Sequence, residues 1–268
     1  MLEELGVDIK AVAGTSMGSI IGAFFCSGVR LEEIEAYVKA MDWKSFLLFS
    51  ELAFSKTGII NWRRVEEELK KFLKDKTFSD CRIKFCCTAV DLITREKVIL
   101  SDGKLLDAVK ASIAIPGFFS AIRMNDQILI DGGIMEPLPT ASLKTMGVNF
   151  TIASSIAFER DREKYISGLY GSNNDASPVK NRPIGYKNRK KQKKYDTKKL
   201  TIRNILDTSF SIMQQEMTKN FLDMADIVIE PEVGDFGFFD LTKGSEIIQR
   251  GVEAARGKAA EIKRKLYL

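Results

Sequence analysis

The sequence predicts an α/β fold in which helices cover both faces of a largely parallel sheet. Short apolar runs typical of buried strands alternate with segments whose apolar residues recur at helical spacing. Of the 268 residues, 45% are hydrophobic, which is enough to form a buried core. No internal repeat is visible, and we expect residues 1–268 to form a single domain.

The N-terminal part of the chain predicts one short strand among helices. Residues 1–6 have the character of a helix end closed by Gly6. The elements that follow are a buried strand at 9–13, a buried helix at 17–26, an amphipathic helix at 31–40 and a helix at 62–73 capped by Asn61.

The middle of the chain is richer in strands, and helices return towards its C-terminus. Predicted strands lie at 84–90, 97–100, 127–130, 149–154 and 227–229. Predicted helices lie at 106–112, 201–224 and 245–265. Ligands of such folds gather where strands end, and Ser16 and Asp131 both follow predicted strands, so we expect them at the same edge.

The segment Gly14-Thr15-Ser16-Met17-Gly18 has the form of a nucleophile elbow. A strand precedes it and a helix follows it, which is the context that G-x-S-x-G requires. Gly14 and Gly18 would allow the strand and helix to approach closely, and the Met17 N–H would donate to an oxyanion. The alternative is an ordinary strand–helix turn in which Ser16 or Ser19 caps the helix.

A serine nucleophile here needs a base other than histidine, because the chain contains no histidine. Asp131 is the best candidate, since an apolar strand precedes it and burial raises the pKa of a carboxylate. Gly132 and Gly133 would let the backbone pass close to a substrate. The alternative is a plain Asp-Gly-Gly turn. Asp102 is a weaker candidate because its neighbours indicate a hairpin turn.

The cysteines and the chain ends indicate a cytoplasmic protein. The four cysteines form no C-x-x-C pair and there is no histidine, so we expect no metal site and interpret the cysteines as buried apolar residues in a reducing compartment. We also expect no signal peptide, because the N-terminus is acidic, and no transmembrane helix, because no apolar run is long enough.

The positive charge of the chain is concentrated in one polar segment. Residues 180–199 hold ten Lys or Arg and a single acid, within a stretch at about 160–200 that we interpret as a flexible insertion. The simplest interpretation is a solvated loop. The alternative is peripheral contact with an anionic membrane, through Arg189, Lys190, Lys191, Lys193 and Lys194. Without a folded nucleic-acid-binding motif, we expect no nucleic-acid partner.

With Ser16, Asp131 and no histidine, the chain resembles the patatin-like phospholipases, especially the bacterial ones. The resemblance extends to the helix–strand–elbow at 5–23, the Ala-Ser-x-Ala-x-Pro segment at 111–119, the Asp-Gly-Gly block with its prolines at 131–139, and the late strand at 225–231. It covers essentially the whole chain apart from residues 160–200.

The resemblance implies an α/β/α sandwich with a mostly parallel sheet and a Ser–Asp dyad. Ser16 would be the nucleophile, and Asp131 would accept its proton and pass it to the leaving alcohol. The implied reaction is hydrolysis of lipid or other acyl esters through an acyl-enzyme, with no metal or organic cofactor. The oligomeric state, the lipid headgroup and the acyl position stay open.

Two departures from the family pattern bear on activity. The family carries a strand and a Gly-rich oxyanion loop upstream of the elbow, and the 13 residues before Gly14 match the helix that follows that loop. We therefore expect a truncated domain with weak or no activity. The alternative function is a catalytically inactive lipid- or protein-binding module. Glu136 stands where many relatives carry a neutral residue, and the sequence offers no physical reason for it.

Co-sedimentation with vesicles tests the membrane interpretation of the basic segment. If these residues contact a bilayer, binding will require anionic lipid and will weaken as salt is raised, because each basic residue contributes about 1 kcal/mol near the surface. Binding that is indifferent to both anionic lipid and salt would exclude membrane contact through this segment.

Overall fold

The computed structural model describes residues 1–40, 62–156, 202–234, 236 and 243–268, except for a few side chains near the start of one helix. The expected insertion at 160–200, with its basic residues, and the Asn61 cap lie outside these described residues. In the described part of the chain, no helix combines the length and the apolar character that crossing a bilayer requires.

The central sheet is mixed and is built around one strand. Five strands form it: β1 (Ala11–Gly14), β2 (Lys84–Asp91), β3 (Glu96–Leu100), β4 (Ile122–Met124) and β5 (Gln127–Asp131). β1 is parallel to β2, whereas β3 and β5 are antiparallel to β2, and β4 is antiparallel to β5. The β2–β3 and β4–β5 connections are short turns, and short connections permit only antiparallel pairing.

Two of these strands share a single edge of β2. Cys87 pairs with a residue of β1 and a residue of β3, so these two strands lie on opposite edges of β2. Ala89 pairs with a residue of β3 and a residue of β5, so β5 also lies opposite β3. β1 and β5 therefore follow the same edge, and they approach each other from opposite directions.

A second, two-stranded sheet lies later in the chain. It pairs β6 (Ile152–Ser154) in parallel with β7 (Ile227–Ile229). The residues that directly precede the two strands are hydrogen-bonded to each other. The Asp226 carboxylate accepts hydrogen bonds from the N–H and the hydroxyl of Thr151 at 2.7 and 2.9 Å.

Eight helices are described, numbered here in chain order: α1 (Met17–Cys26), α2 (Leu31–Ala40), α3 (Trp62–Leu73), α4 (Leu105–Ser112), α5 (Thr140–Lys144), α6 (Ile202–Leu222), α7 (Gly244–Gly257) and α8 (Ala259–Leu266). In the main core, the four helices α1, α2, α3 and α4 pack against one face of β2. That face carries Phe85, Cys87 and Ala89. α5 contacts β1 and β2.

The predicted α/β class is confirmed, and most predicted elements lie within a few residues of their expected positions. Two differences are informative. β4 was not predicted, because Ile-Arg-Met is not a continuous apolar run like the three-residue strand at 227–229, and three residues are too few to establish an alternating pattern. The expected helix at 245–265 is two helices, since the backbone bends at Lys258 between α7 and α8.

Candidate active site

Ser16 turns the chain sharply from β1 into α1. Its backbone has φ +52° and ψ −122°, a strained conformation that residues other than glycine rarely adopt. Its carbonyl accepts hydrogen bonds from the N–H and the hydroxyl of Ser19, at 2.8 and 2.6 Å. The turn is therefore held in place, and Ser16 lies at its tip with 9% of its surface exposed.

The closeness of strand and helix at the elbow is set by Gly14. A Cβ on Gly14 would lie 2.4 Å from the Gly18 carbonyl oxygen and 2.7 Å from the Ser19 Cα. A Cβ on Gly18 would meet no atom within 4 Å. We expected both glycines to be needed for the approach, but only Gly14 requires the absence of a side chain. Gly18 contributes its backbone.

Two backbone N–H groups, those of Ser16 and Met17, lie at the elbow. The Ser16 N–H donates to the Ser112 hydroxyl at 3.1 Å, where α4 ends. The N–H of Met17, the first residue of α1, has no acceptor among the described residues. A free N–H at a helix N-terminus can stabilise negative charge that develops beside it. The structure thus leaves the predicted oxyanion donor available.

Asp131 is the last residue of β5, and none of its surface is exposed. Its Oδ1 accepts a hydrogen bond from the Gly133 N–H at 2.7 Å. Its Oδ2 has no hydrogen-bond partner within the described ranges, which is unusual for a buried polar atom. One carboxylate oxygen is therefore free to accept a proton.

Burial raises the pKa of Asp131 to about 7, and the nearby Ser16 hydroxyl and the Gly133 N–H limit the rise. Asp91 makes the cause clear, since it is also buried, with 1% of its surface exposed. Its carboxylate accepts hydrogen bonds from the N–H groups of Ile93 and Ile128. Against the effect of burial, these bonds hold the pKa of Asp91 below its usual value. Asp131 differs in two respects: it lies deeper in the protein, so burial penalises its charge more strongly, and only one backbone N–H donates to it among the described residues.

Ser16 and Asp131 come together because β1 and β5 end on either side of Thr88. Gly14 is opposite Cys87, and Asp131 is opposite Ala89. The predicted proximity is present, but its cause is not the shared edge of parallel strands, because β5 is antiparallel to β2. The two chains instead arrive from opposite directions and leave the sheet at the same point.

Thr88 contacts both chains where they leave the sheet. Its hydroxyl lies 2.7 Å from the hydroxyl of Thr15. A Cβ on Gly132 would lie 2.2 Å from the Thr88 hydroxyl oxygen and 2.4 Å from the Thr88 carbonyl oxygen. Gly133 is covered by α6, because a Cβ there would lie 2.2 Å from the Gln214 side-chain nitrogen. Both glycines therefore allow a close approach.

Glu136, for which the sequence analysis found no physical reason, is part of this assembly. It is fully buried, and Oε2 accepts a hydrogen bond from the Lys97 ammonium at 2.6 Å. The N–H and the hydroxyl of Ser142 also donate to this carboxylate. An acid in an otherwise apolar block was the available signal, but its partner Lys97 is 39 residues away and was not identifiable from the sequence.

The cysteines do not supply a competing nucleophile. Burial raises the pKa of Cys26 to about 12 and that of Cys86 to about 11, and it raises the pKa of Cys87 as well. A thiol with a raised pKa is a poor nucleophile near neutral pH. Across the described residues, no group of three or more Cys, Asp or Glu side chains is arranged to hold a metal ion.

Comparisons with known proteins show which family the chain belongs to. The family model for patatin-like phospholipase matches residues 1–144, a range that includes Ser16 and Asp131. An uncharacterized NTE family protein of Mycobacterium bovis is 31% identical over 155 residues, which cover 58% of this chain and 43% of the relative.

Longer relatives have names that state an activity. Lysophospholipase NTE1 of Debaryomyces hansenii is 22% identical over 269 residues, covering 95% of this chain and 16% of the relative. Lysophospholipase NTE1 of Candida glabrata is 26% identical over 175 residues, which cover 63% of this chain and 10% of the relative. The chain thus spans less than half the length of these curated relatives.

Alanine should destabilise the protein at Gly14 and not at Gly18. Gly14→Ala forces a Cβ onto the backbone of α1, so we expect it to lower the free energy of unfolding by about 1–3 kcal/mol. Gly18→Ala places its methyl group in open space and should be neutral or stabilising by up to about 1 kcal/mol. Urea unfolding of both variants checks this, and equal losses would contradict the described elbow.

Proposed function

Because the chain belongs to the patatin-like phospholipase family, we propose that it hydrolyses acyl esters of lipids with a dyad of Ser16 and Asp131. The observation that carries the proposal is the buried Oδ2 of Asp131, which has no hydrogen-bond partner among the described residues and lies beside the strained elbow of Ser16. The named lysophospholipases among the relatives favour phospholipids or lysophospholipids as the substrate class. We further propose that residues 1–268 form one patatin-like domain.

In the first step, Asp131 acts as general base. Its Oδ2 accepts the hydroxyl proton of Ser16 while the Ser16 oxygen attacks the ester carbonyl carbon. With a pKa of about 7, Asp131 is a far stronger base than an aspartate in water, yet it remains partly ionised at neutral pH. The same environment that makes the charged form costly makes proton uptake favourable.

Negative charge then develops on the former carbonyl oxygen. The N–H of Met17, which has no acceptor among the described residues, would donate to it, and the N-terminus of α1 would add a favourable electrostatic field. When the intermediate collapses, the protonated Asp131 returns its proton to the leaving alcohol, and the acyl group stays on Ser16. Water activated by Asp131 then hydrolyses this acyl-enzyme by the same steps in reverse order.

The site has features that suit an ester rather than a charged small molecule. Asp131 forms no ion pair within the described ranges, so no cation there lowers its basicity. Met17 follows the nucleophile and is 46% exposed, which places an apolar side chain at the rim of the site. An acyl chain is a suitable neighbour for that side chain. Lipid is accordingly the partner we propose, with contact at a membrane surface as the setting.

Turnover of a fluorogenic acyl ester and labelling by a fluorophosphonate test the dyad. We expect Ser16→Ala to abolish both, and Asp131→Asn to lower kcat at least about 100-fold while the protein stays folded. Because deprotonated Asp131 is the active form, kcat/KM should fall as the pH is lowered through about 7.

Gly18→Ala serves as the matched control for general effects of substitution at the elbow. Labelling that survives Ser16→Ala would place the nucleophile elsewhere. Full turnover in Asp131→Asn would exclude that residue as the base. A folded wild-type chain with neither labelling nor turnover would favour the lipid- or protein-binding module over the enzyme.

A further inference from the structure

We propose that Glu136 is a positioning residue that fixes the separation of Ser16 and Asp131, an inference that rests on the proposed function. The Glu136 side chain hydrogen-bonds to Lys97 and Ser142 and not to either side chain of the dyad. Its main chain is joined instead to the residue before Ser16 and to the residue after Asp131. The main chain of one buried residue, whose side chain is held by Lys97 and Ser142, therefore connects the two chain segments that must stay in register.

The carboxylate of Glu136 is held from two elements of the fold. Lys97 on β3 donates to Oε2 at 2.6 Å, and the Ser142 N–H on α5 donates to Oε1 at 2.9 Å. Glu136 has no exposed surface, whereas Lys97 is 30% exposed at its side chain. A buried charge persists only where partners satisfy it, so these contacts determine where Glu136 lies.

The main chain of Glu136 is linked to the nucleophile elbow. The Thr15 hydroxyl donates to the Glu136 carbonyl oxygen at 2.8 Å. Because a hydroxyl has one hydrogen, the contact between Thr15 and Thr88 must use the Thr88 hydroxyl as donor. The chain of hydrogen bonds thus runs from Thr88 through Thr15 to Glu136, and Thr15 is bonded directly to Ser16.

The main chain of Glu136 is also linked to the turn that carries the base. Its N–H donates to the Gly132 carbonyl oxygen at 2.9 Å, and Gly132 directly follows Asp131. Gly132 packs against Thr88, and Thr88 is hydrogen-bonded to Thr15, so the Asp131 turn also contacts the elbow through Thr88. Displacement of Glu136 would therefore move the elbow and the Asp131 turn relative to each other.

The first arm of the test compares Glu136→Gln with variants of Thr15. Glutamine keeps the size of the side chain and loses the charge that holds Lys97. We expect kcat to fall about 10- to 100-fold with KM within about 2-fold, because small misplacements of reacting groups cost rates of this order. Thr15→Val, which removes the link to the elbow, should act in the same direction, and Thr15→Ser should retain near wild-type kcat.

Glu66→Gln is the matched control. Glu66 on α3 forms ion pairs with Lys110 and Lys70 at 2.8 and 2.7 Å, and these partners belong to neither the elbow nor the Asp131 turn. Its loss should lower thermal stability without changing kcat. Wild-type kcat in Glu136→Gln would overturn the proposal. If that variant does not fold, wild-type kcat in Thr15→Val would overturn it instead.

Amide hydrogen exchange provides an arm that does not depend on activity. In Glu136→Gln, exchange should rise at least 10-fold in residues 14–19 and in residues 131–137 together, relative to α4, and Glu66→Gln should leave both segments unchanged. Unchanged exchange in either segment would overturn the positioning role. If the wild type shows no turnover but the two segments respond together, the proposed function fails while the role of Glu136 as the connection stands.

Discussion

The site depends on two strand ends that meet at one residue of a third strand. β1 and β5 follow the same edge of β2 from opposite directions and end opposite Cys87 and Ala89. Neither strand can continue, because the other already occupies that edge, so both chains must leave the sheet beside Thr88. The residues that leave are the elbow and the Asp-Gly-Gly turn. A steric constraint of the sheet thus places a serine and an aspartate together, although 115 positions separate 16 from 131 in the sequence.

The chemistry of the site follows from how few donors reach Asp131. Two buried aspartates lie at the ends of paired strands, and they have opposite pKa shifts. Asp91 is surrounded by N–H and hydroxyl donors, which stabilise its charge. Among the described residues, Asp131 has one backbone donor, Gly133, and the nearby Ser16 hydroxyl, and its Oδ2 has no hydrogen-bond partner. A carboxyl whose pKa is raised in this way lowers the stability of the fold as the pH rises from about 4 through about 7, because the folded state must then hold a buried ionised group with few partners. That cost is the usual mark of a functional site rather than a structural one.

Much of this arrangement could be predicted from the sequence, and the rest could not for physical reasons. The elbow was predictable because strand, serine and helix are contiguous in the chain. Asp131 was predictable because the lack of histidine leaves few bases and because an apolar strand precedes it. The pairing of Glu136 with Lys97 was not predictable, since it depends on how β3 and the Asp131 turn are brought together in space. The antiparallel direction of β5 was missed for the same reason: strand direction is a property of the connections between strands, not of a strand's own residues.

A direct titration of the Asp131 carboxyl tests the central claim most clearly. Carbon-13 NMR of protein labelled at the aspartate side-chain carboxyl carbons, with Asp131→Asn to assign the signal, measures its pKa without reference to any substrate. Asp91 provides an internal comparison in the same spectrum. The account predicts that the Asp131 carboxyl titrates with a midpoint of about 7, while Asp91 titrates below its usual range. A midpoint for Asp131 near about 4, the ordinary value for an aspartate, would contradict the account, because the buried base on which the site depends would be absent.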